Sequence, residues 1–267
     1  VRLVYLGTPE MAVAPLEALV VAGHDVALVV TRADKRRGRG SATSPSPLKD
    51  AAQRLGIPVS HDVDDVLAVG AELGIVVAYG RIIKPHVLAA LPMVNLHFSL
   101  LPRWRGAAPV ERALLAGDRV TGVCLMAVEE GLDTGGVYAR TGVPISDTTT
   151  AEELRRQLVS AGTSLLVETL DDGLGAAEPQ TGTPTYAAKL DPAELRIDWT
   201  RPVADIDRLI RVGGAWTTFR GARFKIHAAD IVDGEIVPTT VQPEGKPRMG
   251  AEAWRNGARA TAEERFE

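Results

Sequence analysis

IVVAYGRIIKPHVLAALPMVNLHFS, residues 75–99, is the stretch from which the architecture follows. IVVAYG (75–80) is apolar enough for a strand buried on both faces. KPHVLAALP (84–92) has the composition of a short helix, and MVNLHFS (93–99) is a second strand. Strand, helix and strand within so short a span make a βαβ unit, in which the two strands run parallel.

The same alternation extends in both directions. RLVYLG (2–7) predicts a strand, GTPEMAVAPLEALVVAG (7–23) turns into a helix, and DVALVVT (25–31) is the next strand. A long irregular loop, RADKRRGRGSATSPSP (32–47), precedes a helix over LKDAAQRLG (48–56) and a strand at IPVS (57–60). A weaker helix is predicted near VDDVLAVGAELG (63–74). Beyond residue 99, GVCLMAVEE (122–130) and GGVYARTGVPI (135–145) read as strands. TTTAEELRRQLVSAGTSLLVETLDDG (148–173) reads as a Thr-capped amphipathic helix. The fold class is therefore α/β, a Rossmann-like, mostly parallel sheet over residues 1–174. Residues 175–200 lie in a Gly-, Pro-, Ala- and Thr-rich stretch that predicts a linker. Residues 201–267 carry short alternating runs broken by Gly and Pro, as expected of a small β domain.

Bulk properties exclude several classes. The 267 residues can bury a sizeable core, and a hydrophobic share of 45% against 24% charged is ordinary for a globular chain. Net charge is −4, so affinity for a polyanion must come from local patches. One cysteine excludes a disulfide framework, and Cys124 reads as a small buried hydrophobe. Five histidines without ligand spacing give no metal site. No apolar run reaches membrane-spanning length, and no leader is apparent, so a cytoplasmic setting is expected.

Residues 95–109, NLHFSLLPRWRGAAP, concentrate polar chemistry. On a strand, Asn95, His97 and Ser99 share one face and Leu96 and Phe98 the other. Ligands of open parallel sheets bind beyond the carboxyl ends of the strands, where this segment ends. An imidazole there can exchange protons near neutral pH, and an amide can donate to a developing oxyanion. EEGLDTGG (129–136) adds a carboxylate, Asp133, between glycines. With no nucleophilic Ser or Cys at a suitable spacing, the set suits acyl transfer to a nucleophile that the substrate brings. A lone strand-end histidine is more often a satisfied polar residue, and Asp-Thr-Gly is often only a turn. The residues by themselves leave both readings open.

NLHFSLLPRWRGAAP, with LVYLGTPEMAVAPLEAL, GRGSATSPSPLKDAAQRLGIPV, VVAYGRIIKP, GLDTG and VQPEGKPRM in the same order, resembles the methionyl-tRNA formyltransferases over nearly the whole chain. The resemblance implies transfer of a formyl group from 10-formyltetrahydrofolate to the α-amine of initiator methionyl-tRNA. It implies catalytic roles for Asn95, His97 and Asp133. It implies folate contacts by Ser99, Leu100, Leu101 and Pro102, and by the turn Tyr79, Gly80, Arg81, Ile82 and Ile83. The C-terminal domain is implied to be an OB-like β-barrel that contacts tRNA, and the protein a monomer with no metal. The segments near 61–72 and 211–217 are shorter than the family's counterparts.

Between Arg32 and Lys49 stand six basic residues against one acid, Asp34. Such a run is often only a solvated loop. Its place after the second strand, near the expected crevice, favours a grip on RNA by Arg36, Arg37, Arg39 and Lys49, with Arg39 matching a basic residue of the family's tRNA loop. A second cluster, Arg220, Arg223 and Lys225, is interleaved with Phe219 and Phe224, whose expected role is core packing. The rivals are a folate-dependent formyltransferase acting on a nucleotide sugar or other small amine, and a formyltetrahydrofolate hydrolase. A non-catalytic Rossmann-type binding module is a third, poorly supported because GTPEMA lacks the G-x-G-x-x-G spacing.

Overall fold

The computed structural model describes residues 1–36, 43–261 and 264–267, with only the main chain of Lys35, Arg36 and Thr43. Two compact units divide them. The first comprises 1–109, 120–144 and 155–187, and the second 110–119, 145–154 and 188–267.

The first unit holds a seven-stranded sheet. Its order is Val137–Pro144, Val120–Ala127, Met93–His97, Leu73–Val77, Arg2–Gly7, Asp25–Val30 and Val59–Ser60. The last five run parallel, and Val120–Ala127 is antiparallel to both its neighbours. The central strand Leu73–Val77 is buried at all five positions, as its unbroken apolar sequence requires. From Arg2–Gly7 the chain builds outward through Asp25–Val30 to Val59–Ser60. It then returns to the opposite side of Arg2–Gly7 to lay down Leu73–Val77 and Met93–His97. The strand order thus reverses between Arg2–Gly7 and Leu73–Val77, and sheets of this kind bind ligands at the carboxyl ends of the strands flanking such a point.

Differences from the sequence-based expectation are local. The helix predicted near 63–74 is a 3₁₀ segment, Val63–Ala68, capped by the Asp62 carboxylate, which accepts from Asp64 N at 3.1 Å. The following strand starts at Leu73 and stops at Val77, because Ala78 (φ 49°) and Gly80 (φ 67°) turn left-handed. Helix Pro47–Arg54 follows a Pro-bearing first turn and a Ser46 cap whose Oγ accepts from Lys49 N at 3.1 Å. Ser46 Oγ also lies 2.9 Å from Thr31 Oγ1 at the end of the second strand. Ser46→Ala removes both partners and is expected to cost about 1 kcal/mol of stability, read by denaturant unfolding.

Residues 175–200, expected to be a linker, are divided between the units at Ala187/Ala188. Glu178 exchanges both main-chain hydrogen bonds with Val137, and Tyr186–Ala187 pair in parallel with Arg105–Gly106.

The second unit carries an antiparallel sheet in the order Trp216–Phe219, Ala222–Val232, Glu235–Pro243 and Met249–Gly250. Asp233 and Gly234 (φ 50° and 79°) make the left-handed two-residue turn that matches strand twist in a hairpin. Helix Val203–Val212 was not expected from the alternating pattern. Its Ile206 and Ile210, one turn apart, are buried with Ile226 and Val241. Phe219 and Phe224 are core residues as expected: Phe224 packs on Trp254 with ring centroids 4.5 Å apart. Among the described residues, no helix is long and apolar enough to cross a membrane.

Candidate active site

Asn95 and His97 occupy the last strand of the parallel set, beside Val76 of the central strand and Met126 and Cys124 of the antiparallel one. Their neighbours Val94, Leu96 and Phe98 are buried, which fixes the alternation, and Asn95 itself is only partly buried. The strand stops at His97. Ser99 therefore lies past the alternation that was expected to align it with Asn95 and His97. It is fully buried, and its hydroxyl donates to the Arg103 carbonyl at 2.6 Å.

The His97 ring is only 6% exposed and is held from two sides. Nε2 lies 2.9 Å from the Trp104 carbonyl oxygen, which can only accept, so Nε2 carries the proton. Nδ1 faces Asp133 Oδ2 at 3.6 Å, an ion-pair distance too long for a hydrogen bond. Protonated at Nδ1 as well, the ring would meet a carboxylate that stabilises its charge.

Asp133 is itself fixed by the backbone. It sits left-handed (φ 51°), a conformation Asp tolerates better than most residues, and its Oδ2 accepts from Gly106 N at 2.7 Å. The Gln180 amide nitrogen donates to the carbonyls of Asp133 and Gly135, at 2.9 and 2.8 Å. The Gln180 oxygen accepts from Arg105 Nε and Nη2, at 3.1 and 2.6 Å. Trp104, also left-handed at φ 64°, donates its main-chain N–H to Thr185 Oγ1 at 2.9 Å. Thus two segments, 103–106 and 180–187, hold the imidazole and the carboxylate in register. Sequence reasoning passed over Trp104, Arg105, Gly106, Gln180 and Thr185. Gln180 and Thr185 stand in a stretch without periodicity, so no local signal marks them.

The residues expected to line a folate pocket separate into two kinds. Tyr79 and Ile83 are buried in the apolar core, whereas Ile82 between them is 90% exposed and Arg81 is exposed. Gly80 gives its carbonyl to Arg32 Nη2. Leu101 packs with Cys124, Met126 and Val137, and Leu100 lies against Gly122, where a Cβ would meet its side chain at 2.6 Å. Pro102 follows a cis peptide bond, and its carbonyl accepts from Thr185 N at 3.2 Å. Burial pushes the Cys124 thiol up, as for an inert core cysteine.

Of the four residues expected to grip RNA, Lys49 is ion-paired with Asp34 at 2.7 Å. Arg36 is placed by its main chain, which pairs with Thr43. Arg37 and Arg39 lie outside the described residues. In the second basic cluster, Arg220 pairs with Glu264, whose carboxyl it holds down at about 2, and Arg223 stacks on the Trp216 ring at 4.3 Å. Among the described residues, no His, Cys, Asp and Glu cluster is arranged to hold a metal.

Residues 1–170 match the family described as formyl transferase, and 189–238 match the formyl transferase C-terminal domain. Methionyl-tRNA formyltransferase of Roseobacter denitrificans is 45% identical over 258 residues, which cover 90% of this chain and 84% of that protein. Among solved structures, methionyl-tRNA formyltransferase from Clostridium thermocellum superposes with a TM-score of 0.67 at 16% identity, over 91% of this chain and 98% of that one. An N-formyltransferase from Helicobacter canadensis, solved with folinic acid and dTDP-3-aminofucose, gives 0.69 at 18%, over 94% and 98%. At these identities the structural likeness shows the fold alone.

Proposed function

This chain belongs to the methionyl-tRNA formyltransferase family, and from that premise we propose that Asn95, His97 and Asp133 carry out its formyl transfer. It formylates methionyl-tRNA and uses a folate. The finer assignments are the donor as 10-formyltetrahydrofolate, the acceptor as the α-amine of initiator methionyl-tRNA, and the site residues. The observation that supports the site is the His97–Asp133 pair, 3.6 Å apart and fixed at both ends by main-chain groups.

In the transfer, a bond forms between the amine nitrogen and the formyl carbon, and the bond from that carbon to the folate nitrogen breaks. One proton leaves the amine, and one is delivered to the folate nitrogen. Negative charge gathers on the formyl oxygen, where the Asn95 amide can donate. His97 Nε2 is committed to Trp104, which leaves Nδ1 as the ring atom free to take up a proton. Asp133 holds the resulting imidazolium in place. The folate is held by the turn 79–83 and the segment 99–102, where exposed Ile82 offers apolar surface to a flat ring. The scheme requires no metal, and the reading includes a monomer in the cytoplasm, which the resemblance supports. We retain 1–174 as the catalytic domain, 175–200 as the connection and 201–267 as the tRNA-contacting domain.

Transfer from 10-formyltetrahydrofolate to methionyl-tRNA, to free methionine and to water, compared side by side, tests the acceptor. Transfer to tRNA should dominate. Preference for a small amine, or hydrolysis, would move the sugar-formyltransferase or hydrolase reading ahead.

The basic loop gives a second test. Replacing Arg36, Arg37 and Arg39 together by Ala should raise KM for methionyl-tRNA and leave folate affinity unchanged. For each phosphate that the variant no longer neutralises, the slope of log K against log salt should fall by about 0.7–0.9. Equal KM and equal slopes in the two proteins would make the loop a solvated surface only.

A further inference from the structure

A second set of polar groups gathers at the switch point, apart from His97. Leu6 pairs with Val30 and Gly7 with Val77, so Thr8, Arg32 and Ala78 leave three adjacent strands at one level. Helix Pro47–Arg54 closes the same corner: a Cβ on Gly7 would stand 3.0 Å from Leu48 Cδ2. Next to Leu48, Lys49 Nζ holds Asp34 Oδ2 at 2.7 Å, and Arg32 Nη2 donates to the Gly80 carbonyl. Thr8 Oγ1, Arg32 Nε and Asp34 Oδ1 are all buried without a hydrogen-bond partner among the described residues. Three orphaned polar atoms at one corner are costly unless a ligand or an ordered water satisfies them.

We propose that Thr8, Arg32 and Asp34 form a subsite for the sugar of the acceptor's terminal nucleoside, with Asp34 Oδ1 accepting from its free hydroxyl. The inference rests on the acceptor being an aminoacyl-tRNA. An aminoacyl ester occupies one of the two neighbouring ribose hydroxyls and leaves the other as a donor. The atom set is mixed: one carboxylate acceptor, one guanidinium donor and one hydroxyl that can do either. That suits a sugar edge. A phosphate offers only acceptors and would be repelled by Asp34. Sheets of this kind use an acidic residue after the second strand for a ribose hydroxyl, and Asp34 stands four residues past Val30. The Arg32 bond to Gly80 ties this corner to the turn assigned to the folate.

The test compares the affinity of the full chain for methionyl-tRNA and for the same tRNA ending in 2′-deoxyadenosine, charged on the 3′ hydroxyl. Wild type should bind the deoxy form about 10–100-fold more weakly, the range of a hydrogen bond to a charged group. Asp34→Ala should bind the two alike. Freeing Lys49 in that variant acts on both tRNAs equally and cancels in the comparison. Thr8→Val keeps the shape and loses only the hydroxyl, and should weaken both complexes with unchanged folate affinity. Equal wild-type affinities, or full discrimination in folded Asp34→Ala, would overturn the subsite while formyl transfer stood. Absence of transfer to either tRNA would overturn the functional assignment and the subsite with it.

Discussion

Asn95→Ala should lower kcat by a factor of about 10²–10³ and leave KM for the folate largely unchanged. The amide acts on charge that exists only in the transition state, so its loss falls on the chemical step. The substitution is a clean probe of this role. Asn95 is only partly buried, Val94 and Leu96 keep the strand in register, and Ala leaves no buried charge behind. His97→Ala should fall in the same range. It removes the atom that exchanges the proton and leaves Asp133 bonded to Gly106 N. Steady-state kinetics with methionyl-tRNA and the folate, and unfolding curves to exclude loss of fold, are the measurements. Near-normal kcat in either variant would remove that residue from the mechanism.

The Asp133→Asn variant should lose about 10–100-fold in kcat, the worth of a charge-assisted interaction. The amide oxygen can still accept from Gly106 N, and Asn tolerates φ 51°, so the loop 131–135 should keep its shape. What disappears is the carboxylate charge beside His97 Nδ1. The diagnostic is the double variant. If Asp133 works through His97, Asp133→Asn in a His97→Ala background should cost almost nothing more. Asp133→Ala loses the Gly106 bond as well and adds left-handed strain. It should therefore also lose stability, which Asp133→Asn should not. A mild Asp133→Asn phenotype would leave Asp133 as a turn residue only.

Both variants probe a site that formyltransferases of different acceptors could share. Discrimination between acceptors has to come from elsewhere, and the two regions suited to it are the basic loop 32–49 and the corner of Thr8, Arg32 and Asp34. The first is a matter of charge and salt, the second of a single hydroxyl. Their tests are therefore independent of the His97 chemistry.

The sequence by itself determined the parallel sheet. Runs such as LVYL, LVV and IVV leave no polar edge, so these strands must be covered on both faces and connected by crossovers. It also placed Asn95 and His97 on one face, since period-two alternation is a local property of the strand.

Other features were decided only by the tertiary structure. Helix Val203–Val212 stands among short runs broken by Gly and Pro, and its apolar face is fixed by burial of Ile206 and Ile210, one turn apart, in the second core. Ser99 was read as a third group on the strand face, but the chain turns after His97 and its hydroxyl closes that turn. Gln180 and Thr185 lie far along the chain from Asp133 and Trp104, in a stretch with no period. They reach the site because residues 178–187 lie along Val137 and Arg105–Gly106. Local propensity acts over a few residues, whereas the carboxylate and imidazole are oriented by hydrogen bonds spanning 7 to 81 positions. Such long-range partners become neighbours only when the fold closes around them.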